Sequence, residues 1–462
     1  MTTIDVRPTT PDTDPKASTH NYRLLWRWHF YAGVFVAPIL FVMAVTGSIY
    51  LFKEPFEEWT QRDVRTVAAV ANPVPLADQV AAAQLTRPGK AIRAVLPPSG
   101  PDRATRILFQ GSDPSPFADG VSVYVNPANA AVLGEIDDTA TFMAAIRLIH
   151  GELMAGVVGD RIVETAACWS LILIATGTYM WWTTRKRAAP KKRTRGSLRR
   201  LHMWTGVGSG AVIVFLVLSG LPWSGVWGEG LKSIQTALDS GRPSVKSSST
   251  LSGDLSHHPD AKVPWAAENL PVPESHAEHG GGGGLLQPGA ISLEAALVAA
   301  RPKIRDCPAG ECDVKMLLPG GPTGVYTVVT EHHSDPSAEQ TLHVDQYSGK
   351  ILVDFGWTEY GLMAKAVSAG IAIHEGRRYG VVNLLVMLGA CLALIAMIVT
   401  GVWMWWKRRP KGKVAAPRRP ANGRTTWGVV ALLAVLGLLF PLAGLTMVAM
   451  LVIDRVIVRV RS

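Results

Sequence analysis

Apolar residues run almost unbroken through five stretches of the chain, at 30–52, 162–182, 203–226, 381–406 and 427–453, each long enough to cross a bilayer as a helix. The second carries one acidic residue, Glu164, near its start, and the fifth has Pro441 near its middle. Between these stretches the period changes. Segments 75–85 (PLADQVAAAQL) and 291–302 (ISLEAALVAARP) keep a helical pattern. In 91–100, 104–111, 121–137, 313–321, 325–332 and 341–353, apolar positions alternate with polar ones and stop at Pro, Gly, Asn or Asp, as strands and turns do. Each set predicts a small module of one helix and an antiparallel sheet. The stretch 240–290, rich in Pro, Ser, Gly and His and containing GGGGG, reads as a flexible linker.

Composition agrees with a membrane protein that carries water-soluble parts. The 462 residues are 48% hydrophobic and 18% charged, with mean hydropathy +0.18; soluble domains carry about 25% charge. A disordered chain, a disulfide-rich mini-protein and an ordinary cytosolic enzyme are excluded. The net charge of +10 raises nucleic acid as a partner, but its placement removes that reading. Segment 185–200 holds nine Lys/Arg and 407–424 holds eight, neither with an acid. The positive-inside rule puts both in the cytoplasm. The organisation expected is then a cytoplasmic tail 1–25, spans at 26–52, 150–184, 202–226, 374–406 and 427–453, and basic cytoplasmic loops at 185–201 and 407–426. Segments 53–149 and 227–373 lie outside, the latter as linker plus second module, and 454–462 is a C-terminal tail. The first twenty residues have no apolar core, so the first span is expected to be an uncleaved anchor. Membrane lipid is an expected partner and nucleic acid is not.

The chain is internally duplicated. His29 is followed by Gly33 and Thr46-Gly47, as His202 is by Gly206 and Ser219-Gly220 at the same offsets. His150 is followed by Gly156-Val157-Val158, Thr176-Gly177 and Met180-Trp181-Trp182. His374 is followed in the same register by Gly380-Val381-Val382, Thr400-Gly401 and Met404-Trp405-Trp406. The plan is helix, outer module, helix, given twice, plus a fifth helix. At about 1.5 Å per residue, His29 and His202 fall in a cytoplasmic layer, and His150 and His374 in an outer one.

Histidines facing each other from different helices supply both axial ligands of a six-coordinate haem. Two b-type haems are therefore expected, with His29/His202 as iron ligands on the cytoplasmic side and His150/His374 on the periplasmic side. Gly33 and Gly206 would clear space for a macrocycle. Arg23, Arg27, Arg199 and Arg200, and Arg147, Arg377 and Arg378, lie at the right depths for propionates. The alternative is that these are polar helix-end histidines among aromatic belts and small packing residues; four at matched offsets favour haem. Zinc would need four ligands at one point, which two layers a bilayer apart forbid.

The other histidines carry less. His257, His258, His276 and His279 fit a polar linker better than a metal tract. His332, His333 and His343 fit strand or loop ends, with a substrate or iron site as the alternative. Cys307 and Cys312 are close enough in sequence for a local disulfide, and Cys168 and Cys391 read as small apolar residues. No nucleotide-binding glycine motif follows a strand, and neither G-x-S-x-G nor H-E-x-x-H occurs. Electrons would have to come from a quinol or a separate cytoplasmic reductase.

These residues resemble the PepSY-associated transmembrane family. The resemblance rests on RWHFYAG with its downstream TG, HGELMAG, TGTYMWW followed by basic residues, LHMWTGVG, and IHEGRRYG with TGVWMWWKRRP. It also rests on the outer pieces VYVNPANAAVLGEID and LHVDQYSGKILVDFG and on the terminal FPLAGLTMVAMLVIDR, and it covers about residues 20–455. Members include bacterial inner-membrane reductases of ferric siderophores that carry two haems. The spans and the duplication give an all-α transmembrane bundle of five helices, a duplicated two-helix unit plus one, and the resemblance implies that the two periplasmic α+β modules are PepSY-like. It implies a haem-dependent oxidoreductase ligating iron through His29, His150, His202 and His374, with a ferric siderophore or other ferric chelate as substrate. Reduction releases such iron because hard oxygen ligands favour the ferric ion. The first module departs from the pattern: Asn126-Pro127-Ala128-Asn129 stands where the second has the acidic turn of Asp345–Gly349, which puts a ligand role for the first turn in doubt. Two other classes compete: a non-redox scaffold whose modules bind or inhibit a periplasmic partner, and an iron-chelate permease. The absence of interrupted helix pairs at midplane speaks against the permease.

Overall fold

Apolar stretches become helices and alternating stretches become strands in the computed structural model, which describes residues 15–110, 120–185, 196–237, 270, 272–275, 289–304, 312–409 and 427–461. In chain order, α1 (Pro15–Tyr50), α2 (Lys53–Thr60), α3 (Arg62–Arg65) and α4 (Leu76–Thr86) precede the strands β1 (Ile92–Leu96), β2 (Thr105–Gln110), β3 (Gly120–Val125) and β4 (Val132–Asp137). Next come α5 (Phe142–Glu152), α6 (Gly156–Thr184), α7 (Ser197–Gly220), α8 (Gly225–Ala237) and α9 (Leu293–Ala300). A second run of strands follows, β5 (Cys312–Leu317), β6 (Val325–His332), β7 (Gln340–Asp345) and β8 (Ile351–Gly356). The chain closes with α10 (Leu362–His374), α11 (Gly380–Arg408), α12 (Trp427–Leu439) and α13 (Pro441–Arg461). Two compact units result, one from 1–48, 149–229 and 388–462, the other from 49–148 and 230–387.

The first unit is a helix bundle. Among the described residues three helices, Asn21–Tyr50, Ser197–Trp223 and Gly380–Arg408, are long and apolar enough to cross a membrane. The 29-residue α6 has the length but is not among them. It is instead a central packing element. Its Ala166, Cys168, Trp169, Leu171 and Ile172 share a core with Ala32, Val36 and Leu40 of α1 and with Phe440, Ala443 and Met447. Trp28 stacks on Trp169, and the Trp169 indole N–H donates to Thr446 Oγ1 at 2.8 Å. On other faces large apolar residues such as Phe35, Val402 and Trp403 are exposed, which is what a lipid-facing helix presents.

The fifth span, expected as one helix over 427–453, is two helices broken at Phe440. Pro441 offers no backbone N–H and disfavours helical geometry at the residue before it. The bend is sharp enough that a Cβ placed on Gly437 would sit 3.3 Å from the Gly444 Cα; along a straight helix seven residues advance about 10 Å. The 13-residue α12 alone is too short to span.

The second unit holds both helix-and-strand halves expected from the sequence. Each half gives a helix and four antiparallel strands, but the halves join edge to edge in one eight-stranded sheet of order β4-β3-β2-β1-β5-β6-β7-β8. The joint is antiparallel, Ala94 opposite Leu317 and Val95 opposite Met316. Pairing β1 with β5 removes two open strand edges, whose free N–H and C=O groups would otherwise need cover. Helices α4 and α9 lie on one face over Val95, Ile107, Phe109, Met316, Tyr326, Val328 and Leu342. Glu294 of α9 accepts from the Ala77 N–H of α4 at 2.8 Å. The opposite face holds Ala94, Leu108, Leu317, Val329 and Phe355 together with Leu270. The segment read as a linker is thus anchored near its end. Leu270, Val272 and Ser275 are buried, and Ser275 donates to Asp345 Oδ2 at 2.6 Å.

Candidate functional site

A threonine inside an apolar helix has no water to bond, so its hydroxyl turns back to a carbonyl of the preceding turn. Thr46 donates to Val42 O, Thr176 to Ile172 O and Thr400 to Ala396 O, each at 2.7 Å. A hydroxyl has one hydrogen, so what remains on each oxygen is acceptor capacity. A histidine Nδ1 meets it in every case. His29 lies 2.9 Å from Thr176 Oγ1, His150 3.1 Å from Thr46 Oγ1 and His202 3.2 Å from Thr400 Oγ1. His202 Nδ1 is also 3.0 Å from the Met397 carbonyl, which can only accept. At His202 the carbonyl fixes the proton on Nδ1, and at His29 and His150 a threonine hydrogen already given to its own helix favours the same tautomer. The glycines after Thr46 and Thr176 make room for the ring, and the one after Thr400 lies in ordinary contact with it. A Cβ at Gly47, Gly177 or Gly401 would come within 3.1, 3.3 or 3.6 Å of the Cε1 of His150, His29 or His202.

Two of these rings face each other inside the bundle. His29 of α1 and His202 of α7 have ring centroids 6.4 Å apart and planes at 85°. With each imidazole nitrogen about 2 Å from a shared metal, ring centres would stand roughly 6 Å apart. The centroid separation matches that of two imidazoles sharing one iron. His150 ends α5 in the same unit, in its Thr46-Gly47 seat. His374 ends α10 and belongs to the sheet unit. The loop after it is held there by Asn383, which donates to Ile373 O at 2.9 Å, and by Arg377, which donates to Glu375 Oε2 at 2.6 Å and His333 O at 2.8 Å.

Several expected roles change. A Cβ at Gly33 would meet Leu173 at 4.0 Å and one at Gly206 would meet Met397 Sδ at 3.1 Å, so Gly206 also makes a close helix contact. Arg377 and Arg378 are committed within the sheet unit, Arg378 to Asp335 at 2.7 Å. His343 is no solvated strand end: it is fully buried with Nδ1 3.0 Å from Thr327 Oγ1, and burial pulls its pKa from 6.5 down to about 4. His332 accepts the Asp335 N–H at 3.0 Å and closes a turn, and His333 is exposed. Burial alone would raise Asp345, but hydrogen bonds from Ser275, Ser348 and Tyr347 hold it at about 2, so this acidic turn is internally satisfied. Cys312 is disulfide-bonded; Cys307, its expected partner, and His257, His258, His276 and His279 lie outside the described residues. Cys168 and Cys391 are free. Among the described residues no three His, Cys, Asp or Glu form a metal cluster. The role of Thr46, Thr176 and Thr400 is not assigned from sequence, although the repeat marks all three; the signal was a Thr-Gly pair at a fixed offset, without a partner to explain it.

One family model, the PepSY-associated TM region, matches residues 26–408, from α1 to the end of α11. A search of curated proteins finds no match.

Proposed function

The chain belongs to the PepSY-associated transmembrane-region family, and from that premise we propose that it is a di-haem membrane oxidoreductase of the bacterial inner membrane. Its substrate is a ferric chelate on the periplasmic side, by class a ferric siderophore, and its electrons come from quinol or a cytoplasmic reductase. The observation that carries the reading is the facing of His29 and His202 at 6.4 Å with both Nδ1 atoms hydrogen-bonded away from the pair. Haem held there supplies one-electron transfer. The sequence repeat gives His150 and His374 the same role as ligands. His29 and His202 are half-buried in the bundle, and the chelate would bind at the outer unit.

Pyridine haemochrome on the purified full chain tests the cofactor: two haems per chain are expected, and His29→Ala or His202→Ala should leave one. Dithionite-reduced protein mixed with a ferric siderophore should reoxidise, with iron(II) captured by ferrozine. A haem-free wild type overturns the reading in favour of the non-redox scaffold. Haem-loaded protein inert to every ferric chelate removes that substrate class.

A further inference from the structure

Three hydroxyls hold three histidine rings in one way, and nothing in helix packing alone requires it. Resting on the haem reading above, we infer that Thr46, Thr176 and Thr400 are positioning residues that fix the protonation and the plane of the axial histidines His150, His29 and His202. Each threonine spends its hydrogen on its own helix, at 2.7 Å in all three, and so meets the imidazole only as an acceptor. The ring must then carry its proton on Nδ1 and present Nε2 to the metal. A hydrogen-bonded Nδ1–H also makes Nε2 a stronger donor, as outer partners of ligating histidines do elsewhere. A backbone carbonyl assists at His202, that of Met397.

The seats also set the angle. The β-branched side chain of threonine, bonded back to its helix, has little rotational freedom. The glycine behind Thr176 lets the His29 ring edge approach to 3.3 Å, measured to the Cβ that is absent at Gly177. Ring position is thus fixed from two sides, and the outcome for His29 and His202 is planes at 85°. Perpendicular imidazole planes leave the two π-type d orbitals of low-spin ferric iron nearly equal in energy, which produces an EPR signal with a single large g value. Parallel planes would give a rhombic signal. Ser219 repeats the back-bond, to Phe215 O at 2.7 Å, at the fourth position of the duplication.

The test compares wild type, Thr176→Val and Thr176→Ser as full-length protein in detergent. Valine keeps the shape and removes the acceptor; serine keeps the acceptor. In Thr176→Val the His29/His202 haem should bind about tenfold more weakly. Its midpoint potential should rise, because a weaker donor favours ferrous iron; a tenfold change in that preference is about 59 mV for one electron. The large-g signal should move toward rhombic, and Thr176→Ser should restore all three. Thr46→Val should leave that signal and potential in place and shift the other haem. A Thr176→Val protein with wild-type elution and circular dichroism, and with unchanged affinity, potential and EPR, overturns the inference and leaves the haem reading standing. A wild type without haem removes both.

Discussion

At the scale of single residues, burial decides which histidines can change charge. His343 sits in the middle of β7 with no exposed surface, opposite Thr327 of β6. Its folded pKa of about 4 lies below the ordinary 6.5, so between those values the unfolded chain binds more protons than the folded one. Its contribution is therefore complete above pH 6.5 and is lost as pH falls toward 4, by up to about 1.4 kcal/mol per pH unit. Thermal unfolding of the sheet unit should show this slope, and His343→Gln, which can still bond Thr327, should flatten it. An equal slope in the variant would mean that His343 is not the titrating group. Asp345 works in a lower window. Held at about 2, its contribution is complete above the ordinary 3.8 and is lost as pH falls from there through 2.

At the scale of elements, Glu164 shows why one acidic residue stands at the start of an apolar helix. Its two oxygens accept the Val226 and Trp227 N–H groups of α8 at 3.0 Å each, and Asp160 accepts the Gly225 N–H at 3.2 Å. These are the unsatisfied donors at a helix N-terminus, where negative charge is also favoured by the dipole. Arg161 bonds Asp160 at 2.6 Å and lies so close to Gly225 that any side chain there would overlap its guanidinium. Glu164→Ala would bury two unpaired N–H groups and should cost on the order of 3 kcal/mol. Glu164→Gln keeps an acceptor and should cost less. Thermal melts in detergent measure both; equal melting of Glu164→Ala and wild type would show that α8 needs no cap from α6.

At the scale of the whole molecule, the two outer halves share one sheet and one helix-covered core. Met316 of the second half is fully buried beside Val95, Ile107 and Phe109 of the first. Met316→Asp would place a carboxylate in that shared core and should destabilise the sheet by more than about 3 kcal/mol. Hydrogen exchange should then speed up in β2 and β3 as well as in β5 and β6. Protection lost only in β5–β8 would mean that the halves unfold independently despite the pairing of β1 with β5.

The apolar lengths, the alternating runs and the duplication were enough to determine the long helices, the two sets of helix and strands, and the histidines worth watching, because these depend on periods of 3.6 and 2 within short windows. Pro441 was visible as well, but whether it kinks a span or ends one depends on what packs there, and Phe440, Ala443 and Met447 settle it by joining the core around Trp169. The fusion of the halves was not legible, since an edge strand reads the same whether it meets solvent or another edge. The Thr-Gly pairs were legible as repeats and silent as chemistry. A hydroxyl becomes an acceptor for an imidazole only when a second helix brings the ring to it, and only tertiary packing sets that distance.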